Sequence, residues 1–307
     1  MKRGIIIIAA LVLAGVGGWF LWPSAEAQPP VLRVLLIPAD GGTQSGTLAD
    51  YQPIFNAISR ADGLHFDLKV AQSYGAVVEA LCNDAADIAF VGPTTYLQAH
   101  DRKCANLLAV GSTNGQSIYY AGLFVRKDAP ITSLVALRGK RVAFGDVNST
   151  SSFIYPMSML IRAGIDPARD LAEVRVAGSH ANALAALLQG DVDAAALSFE
   201  SYEKAVRENV PGVRDVKVIA RSDPIPYPPL VVSTRMSPAV LAQLKTAFST
   251  IAKQPGITPD MLRGYGGAKV DAYDTAFPPE RFDAAATRMA AVDDRMKSAI
   301  LRKAGAR

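Results

Sequence analysis

The sequence predicts an α/β chain built as two lobes that face each other across a cleft. Two observations carry this reading. Buried-type strands alternate with helical stretches along most of the chain, and one block of that alternation returns 106 residues later. Strands alternating with helices imply parallel sheets, because a parallel crossover lays a helix on the face of the sheet.

Taken in order, "LRVLLIP" (32–38) reads as a buried strand, and "HFDLKVA" (65–71) alternates apolar and polar residues as a half-exposed strand does. In "YGAVVEALCN" the apolar Val77, Val78 and Leu81 recur at helical spacing. "DIAFVG" (87–92) is a short buried strand. "PTTYLQAHDRK" is a helix opened by Pro93, where a missing N–H costs nothing, and "NLLAV" is the next strand. The window 73–96 then lies on 179–202, with identities at Ser73/Ser179, Ala80/Ala186, Leu81/Leu187, Asp87/Asp193, Ala89/Ala195 and Tyr96/Tyr202. A looser echo sets "RVLLIPADGGT" (33–43) against "RVAFGDVNSTS" (141–151). Two matches in the same order predict a duplicated lobe.

At the amino end, Lys2 and Arg3 precede an apolar run from Gly4 to Trp22 and then "PSAEAQPP". Ala25 and Ala27 form the small-x-small pattern of a cleaved export signal, residues 1–27. An uncleaved anchor is the alternative, since the run approaches the roughly 18–20 residues that span a bilayer. About 280 residues remain, enough for two lobes. Without Lys2, Arg3 and Glu26 the chain carries 30 basic and 27 acidic residues, a net +3 too weak and scattered for nucleic acid. Cys82 and Cys104, in an exported chain, predict a disulfide, with ligation of a soft metal or arsenic compound as the alternative. Three histidines and no His-x-x-His pattern argue against a metal centre, and no cofactor is expected.

The stretch "GDVNSTSSFIYPMSML" (145–160) places Ser149, Thr150, Ser151 and Ser152 between a strand and a helix. A helix cap needs one such residue. Four hydroxyls around a helix N-terminus, where unpaired N–H groups and the dipole favour negative charge, read as a neutral anion site. The repeat sets Tyr74 and His180 at the starts of equivalent helices and Tyr96 early in the helix after "DIAFVG". These are strand-to-helix turns, where open α/β sheets bind ligands.

The segments "SYGAVVEAL", "ADIAFVGPTTYLQA", "NSTSSFIYP", "GSHANALAALLQGDVDAA" and "IPYPPLVVS" resemble the periplasmic phosphate/phosphite/phosphonate-binding proteins of ABC importers, over roughly residues 31–290. The resemblance implies a type II periplasmic binding protein: two α/β lobes, a two-stranded hinge and a ligand closed between them. It assigns Ser149, Thr150 and Ser151 to the ligand oxygens, together with Tyr74, Tyr96 and His180. Glu200 falls where aminophosphonate binders place a carboxylate for the ligand amine. Those binders carry a further acidic residue where this chain has Tyr227 and Pro228, with Asp223 upstream. The departure makes phosphite, phosphate, methylphosphonate or an arsenate-like species comparably good guests.

The expected lobes are 31–126 plus 229–307, and 127–228, crossing near "GLFVRKDAP" and "IPYPPLVVS". The carboxyl-terminal segment from "PPERF" onward reads as a helix pair packed on the first lobe. The expected partners are a small oxyanion and an ABC permease, with the protein itself a monomer. A sensor that presents its loaded form to a membrane kinase is the alternative, discriminated by gene neighbours. A hydrolase would need a nucleophile, base and orienting group, and no Gly-x-Ser-x-Gly elbow occurs.

Overall fold

The computed structural model describes residues 31–38 and 44–306. The signal or anchor segment 1–27 lies outside them, as does part of the looser echo, 39–43. Among the described residues no helix is long and apolar enough to cross a membrane.

Thirteen strands follow in chain order among the described residues. They are β1 Val31–Leu36, β2 His65–Val70, β3 Ile88–Phe90, β4 Ala105–Ser112, β5 Ile118–Tyr119, β6 Ala121–Arg126, β7 Arg141–Phe144, β8 Glu173–Val176, β9 Ala194–Ser198, β10 Val216–Arg221, β11 Ile225–Pro226, β12 Pro229–Ser233 and β13 Ala272–Asp274. The first sheet runs β13-β4-β12-β3-β1-β2 and the second β10-β6-β9-β7-β8, while β5 and β11 pair as a two-stranded ribbon. The ribbon is antiparallel, Ile225 facing Tyr119 and Pro226 facing Ile118.

The duplication is visible in this order. β1 pairs in parallel with β2 and β3, as β7 does with β8 and β9. Arg33 fastens β1 by its N–H and its guanidinium to Asp87 just before β3, at 2.7 and 2.9 Å to one carboxylate oxygen. Arg141 does the same to Asp193 before β9, at 2.9 and 3.3 Å. Each guanidinium holds its carboxylate below the usual range. The Asp87/Asp193 identity is therefore a repeated bidentate clamp between neighbouring strands.

Three expectations change. The sheets are mixed, not parallel: β12 runs antiparallel to β3 and β4, and β6 antiparallel to β9 and β10. Each of these strands follows the ribbon, so it enters its new sheet from the end opposite to the resident strands. Second, β6 belongs to the second sheet, so the first crossing lies at the ribbon, upstream of residue 121 and not at 126. Third, the carboxyl-terminal helices are not confined to the first lobe. Asp283–Ala291 packs on Pro93–Asp101 of the first lobe and on Tyr155–Arg162 of the second, while Asp294–Gly305 packs on β8. Lys303 donates from Nζ to the Ala168 carbonyl at 2.8 Å, and Arg288 and Arg162 share the Asp223 carboxylate at 2.6 and 3.1 Å. The edge strand β8 is covered by this last helix, a cover that periodicity within the helix does not reveal.

Cys82 and Cys104 form the expected disulfide, with Cα atoms 4.8 Å apart. It ties the end of helix Tyr74–Cys82 to the start of β4.

Candidate functional site

The loop after β7 enters the helix Tyr155–Arg162 through a widened turn. The Ile154 N–H donates to the Ser149 carbonyl five residues back, at 3.0 Å, and Tyr155 N–H to Thr150. Such single π turns recur at functional sites because they displace a helix start from regular geometry. Here the turn buries the hydroxyl cluster: Ser149, Thr150 and Ser151 are each 1% exposed. Ser149 Oγ accepts from the Ser152 N–H at 3.2 Å and from the Ser152 hydroxyl at 2.7 Å. Its own hydrogen therefore turns away from Ser152. Gly145 provides the space, since a Cβ there would stand 2.1 Å from Ser152 Oγ.

On the other side of Ser149, 3.5 Å from its Oγ, stands Nε2 of His180. His180 opens the helix His180–Leu188, behind the N-cap Ser179. Its Nδ1 accepts the Ser198 backbone N–H at 3.0 Å. A backbone N–H can only donate, so the imidazole hydrogen sits on Nε2. That nitrogen faces the Tyr265 hydroxyl at 2.7 Å. Complete burial drives the His180 pKa down to about 3. At neutral pH the ring is an uncharged donor with a fixed tautomer.

Tyr119, on the ribbon strand β5, hydrogen-bonds Ser151 and has its pKa pushed well above the ordinary phenol value, first by burial. The charges of Glu200, Tyr74 and Tyr155 raise it further. Tyr74 is buried at the start of helix Tyr74–Cys82. Glu200 lies in the first turn of helix Phe199–Arg207 and is partly buried. Among the described residues no cluster of His, Cys, Asp and Glu could hold a metal ion.

The predicted set thus divides. Ser149 and His180 face each other, and Ser151 meets Tyr119, whose phenol also feels the charges of Glu200 and Tyr74. Thr150 instead turns to the first lobe, its Oγ1 accepting the Thr94 N–H at 3.0 Å. Tyr96 is packed elsewhere: its ring lies 5.0 Å from that of Phe282 and 5.4 Å from that of His100, among the residues between helix Pro93–Asp101 and the carboxyl-terminal helices. Asp223 is exposed in its ion pairs, and Tyr227 is buried with its ring 6.1 Å from that of Tyr119. Two residues escaped sequence reasoning. Tyr119 carried a signal, an aromatic pair "YY" at the crossing. Tyr265, in "RGYGGAK", carried none that tied it to His180.

Comparison with known proteins matches this frame. The family described as "ABC transporter, phosphonate, periplasmic substrate-binding protein" matches residues 42–275. The chain is 29% identical to the phosphate-import protein PhnD of Mycolicibacterium smegmatis, over 74% of this chain and 73% of that one. It is 27% identical to the phosphonates-binding periplasmic protein of Escherichia coli, over 75% and 69% respectively. In fold it is similar to a binding protein component of an ABC phosphonate transporter from Pseudomonas aeruginosa, with a TM-score of 0.73, 21% identity and coverage of 90% and 99%.

Proposed function

This chain belongs to the family of periplasmic substrate-binding proteins of ABC phosphonate transporters, and from that premise we propose that it closes its two lobes on a small phosphorus oxyanion and delivers it to an importer. The family is one of transport components rather than enzymes, and its members are periplasmic.

One observation carries the reading: the donors brought together are all uncharged. Ser149, Ser151, Tyr119, Tyr74 and the Nε2–H of His180, which Tyr265 accepts until a guest takes it, would offer hydrogen bonds without a lysine or arginine among them. A buried anion needs nearly every oxygen matched to a donor. Neutral donors and the N-terminus of the widened helix do this without an ion pair that would slow release. Glu200 adds discrimination. A hydrogen phosphonate or hydrogen phosphate brings an O–H that a carboxylate can accept, whereas fully deprotonated sulfate meets only repulsion. Tyr227 and Pro228, in place of a second acidic residue, favour phosphite, phosphate or an alkylphosphonate over an aminophosphonate.

Titration calorimetry with methylphosphonate, phosphite, phosphate, 2-aminoethylphosphonate and sulfate tests the proposal. The expected result is tight binding of at least one phosphorus oxyanion lacking an amine, with sulfate weaker by roughly a hundredfold or more, the cost of an unmatched buried acceptor. Heat from none of the phosphorus species, or sulfate binding equally well, overturns it.

A further inference from the structure

We infer that Thr94 is a positioning residue for capture, closing the cleft through a hydrogen-bonded cycle that commits the Thr150 hydroxyl to the opposite lobe. The inference rests on the proposed function for its ligand, though not for its geometry.

Helix Pro93–Asp101 begins after Gly92, which has no side chain to cap it. Pro93 has no N–H, so the helix's first is that of Thr94, which donates to Thr150 Oγ1 of the other lobe at 3.0 Å. Thr150 therefore fills the role of an N-cap side chain from across the cleft. The hydrogens can then be assigned. The Thr94 hydroxyl donates to the Asn148 carbonyl at 2.8 Å, which uses its only hydrogen. The two threonine hydroxyls are 2.7 Å apart, so the hydrogen between them is that of Thr150. Thr150 thus accepts once from Thr94 and donates once to it, with no hydrogen left for a guest.

The cycle is dry: Thr94 and Thr95 are 0% exposed and Thr150 1%. It is also tight, because a Cβ on Gly92 would come within 3.3 Å of Thr150 Oγ1. The same loop is gripped twice more from the first lobe. Gln98 Nε2 donates to Asn148 Oδ1 at 3.0 Å, and the Tyr74 N–H to Asp146 Oδ2 at 3.2 Å. Two helix starts of one lobe are therefore met by acceptors of the other. Held by this clasp, Thr150 fixes the turn that aims its neighbours Ser149 and Ser151.

Two measurements test the inference. In the unliganded protein, amide exchange at Thr94 should quicken about tenfold or more in Thr150→Val and stay within about twofold of wild type in Thr150→Ser. In stopped-flow binding with methylphosphonate, Thr94→Val should raise the dissociation rate about tenfold with association nearly unchanged, and Thr94→Ser should restore it. Equal Thr94 exchange in Thr150→Val and wild type overturns the clasp whether or not the probe binds. Unchanged dissociation in Thr94→Val overturns the positioning role. Failure of the wild type to bind any phosphorus oxyanion counts against the proposed function, while the exchange result still decides the clasp.

Discussion

The Tyr265 hydroxyl lies 2.7 Å from Nε2 of His180, joining a turn of the first lobe to the first residue of a second-lobe helix. Because Ser198 fixes the tautomer from behind, the imidazole donates forward and Tyr265 accepts. Tyr265→Phe removes the acceptor and leaves a desolvated N–H, a loss of about 1–3 kcal/mol in stability measured by urea unfolding. Tyr265→His or Gln, which retain an acceptor, should lose less.

His180 also sets a pH dependence. An unfolded histidine binds its proton below about 6.5, whereas folded His180 does so only below about 3. Between those values the unfolded chain holds the extra proton. Stability is therefore fully present above about pH 6.5 and falls as pH drops, by roughly 1.4 kcal/mol per unit from this group. The slope of unfolding free energy between pH 6 and 4, compared in wild type and His180→Asn, should differ by about one proton.

Lys204 and Asp50 form a further contact between the lobes, at 2.6 Å, with the Lys204 side chain only 8% exposed. Removing one partner strands a largely buried charge. Lys204→Met and Asp50→Asn should each cost about 1–3 kcal/mol, and the double variant less than the sum. Additive losses in a double-mutant cycle measured by unfolding would show that the pair is not coupled.

Gly145 is required by contact and not by backbone conformation. A Cβ would stand 2.9 Å from Ser152 Cβ as well as 2.1 Å from its Oγ. Gly145→Ala should displace Ser152 and break its bonds to Ser149, costing about 1–3 kcal/mol and weakening binding. Ser152→Gly in the same chain should return part of the stability.

Much of the frame was legible because it is periodic and local. Ser73 and Ser179, identical in the repeat, both cap their helices in the same extended conformation, with φ −154° and −147°. The hydroxyl cluster was legible because four hydroxyls exceed what a cap requires. What was not legible depends on tertiary partners. Thr150 looks like Ser149 and Ser151 in sequence, yet a neighbouring lobe claims its hydroxyl. Tyr96 shares a repeat position with Tyr202, but Phe282, nearly two hundred residues onward, decides where its ring goes. Strand β6 was counted with the lobe it leaves because its apolar run fits either sheet.

The disulfide lies away from the donors. Replacing both Cys82 and Cys104 by alanine should cost about 3 kcal/mol for a loop of this length, lowering the melting temperature by roughly 6–12 °C. Ligand affinity should be unchanged in calorimetry.

A crystal structure with methylphosphonate tests the central claim most directly. The phosphonate oxygens are predicted to lie within hydrogen-bonding distance of Ser149, Ser151, Tyr119 and His180 Nε2, with no arginine or lysine in contact and Tyr96 still packed on Phe282. A phosphonate bound through basic side chains, or lodged outside the space between the lobes, would contradict it.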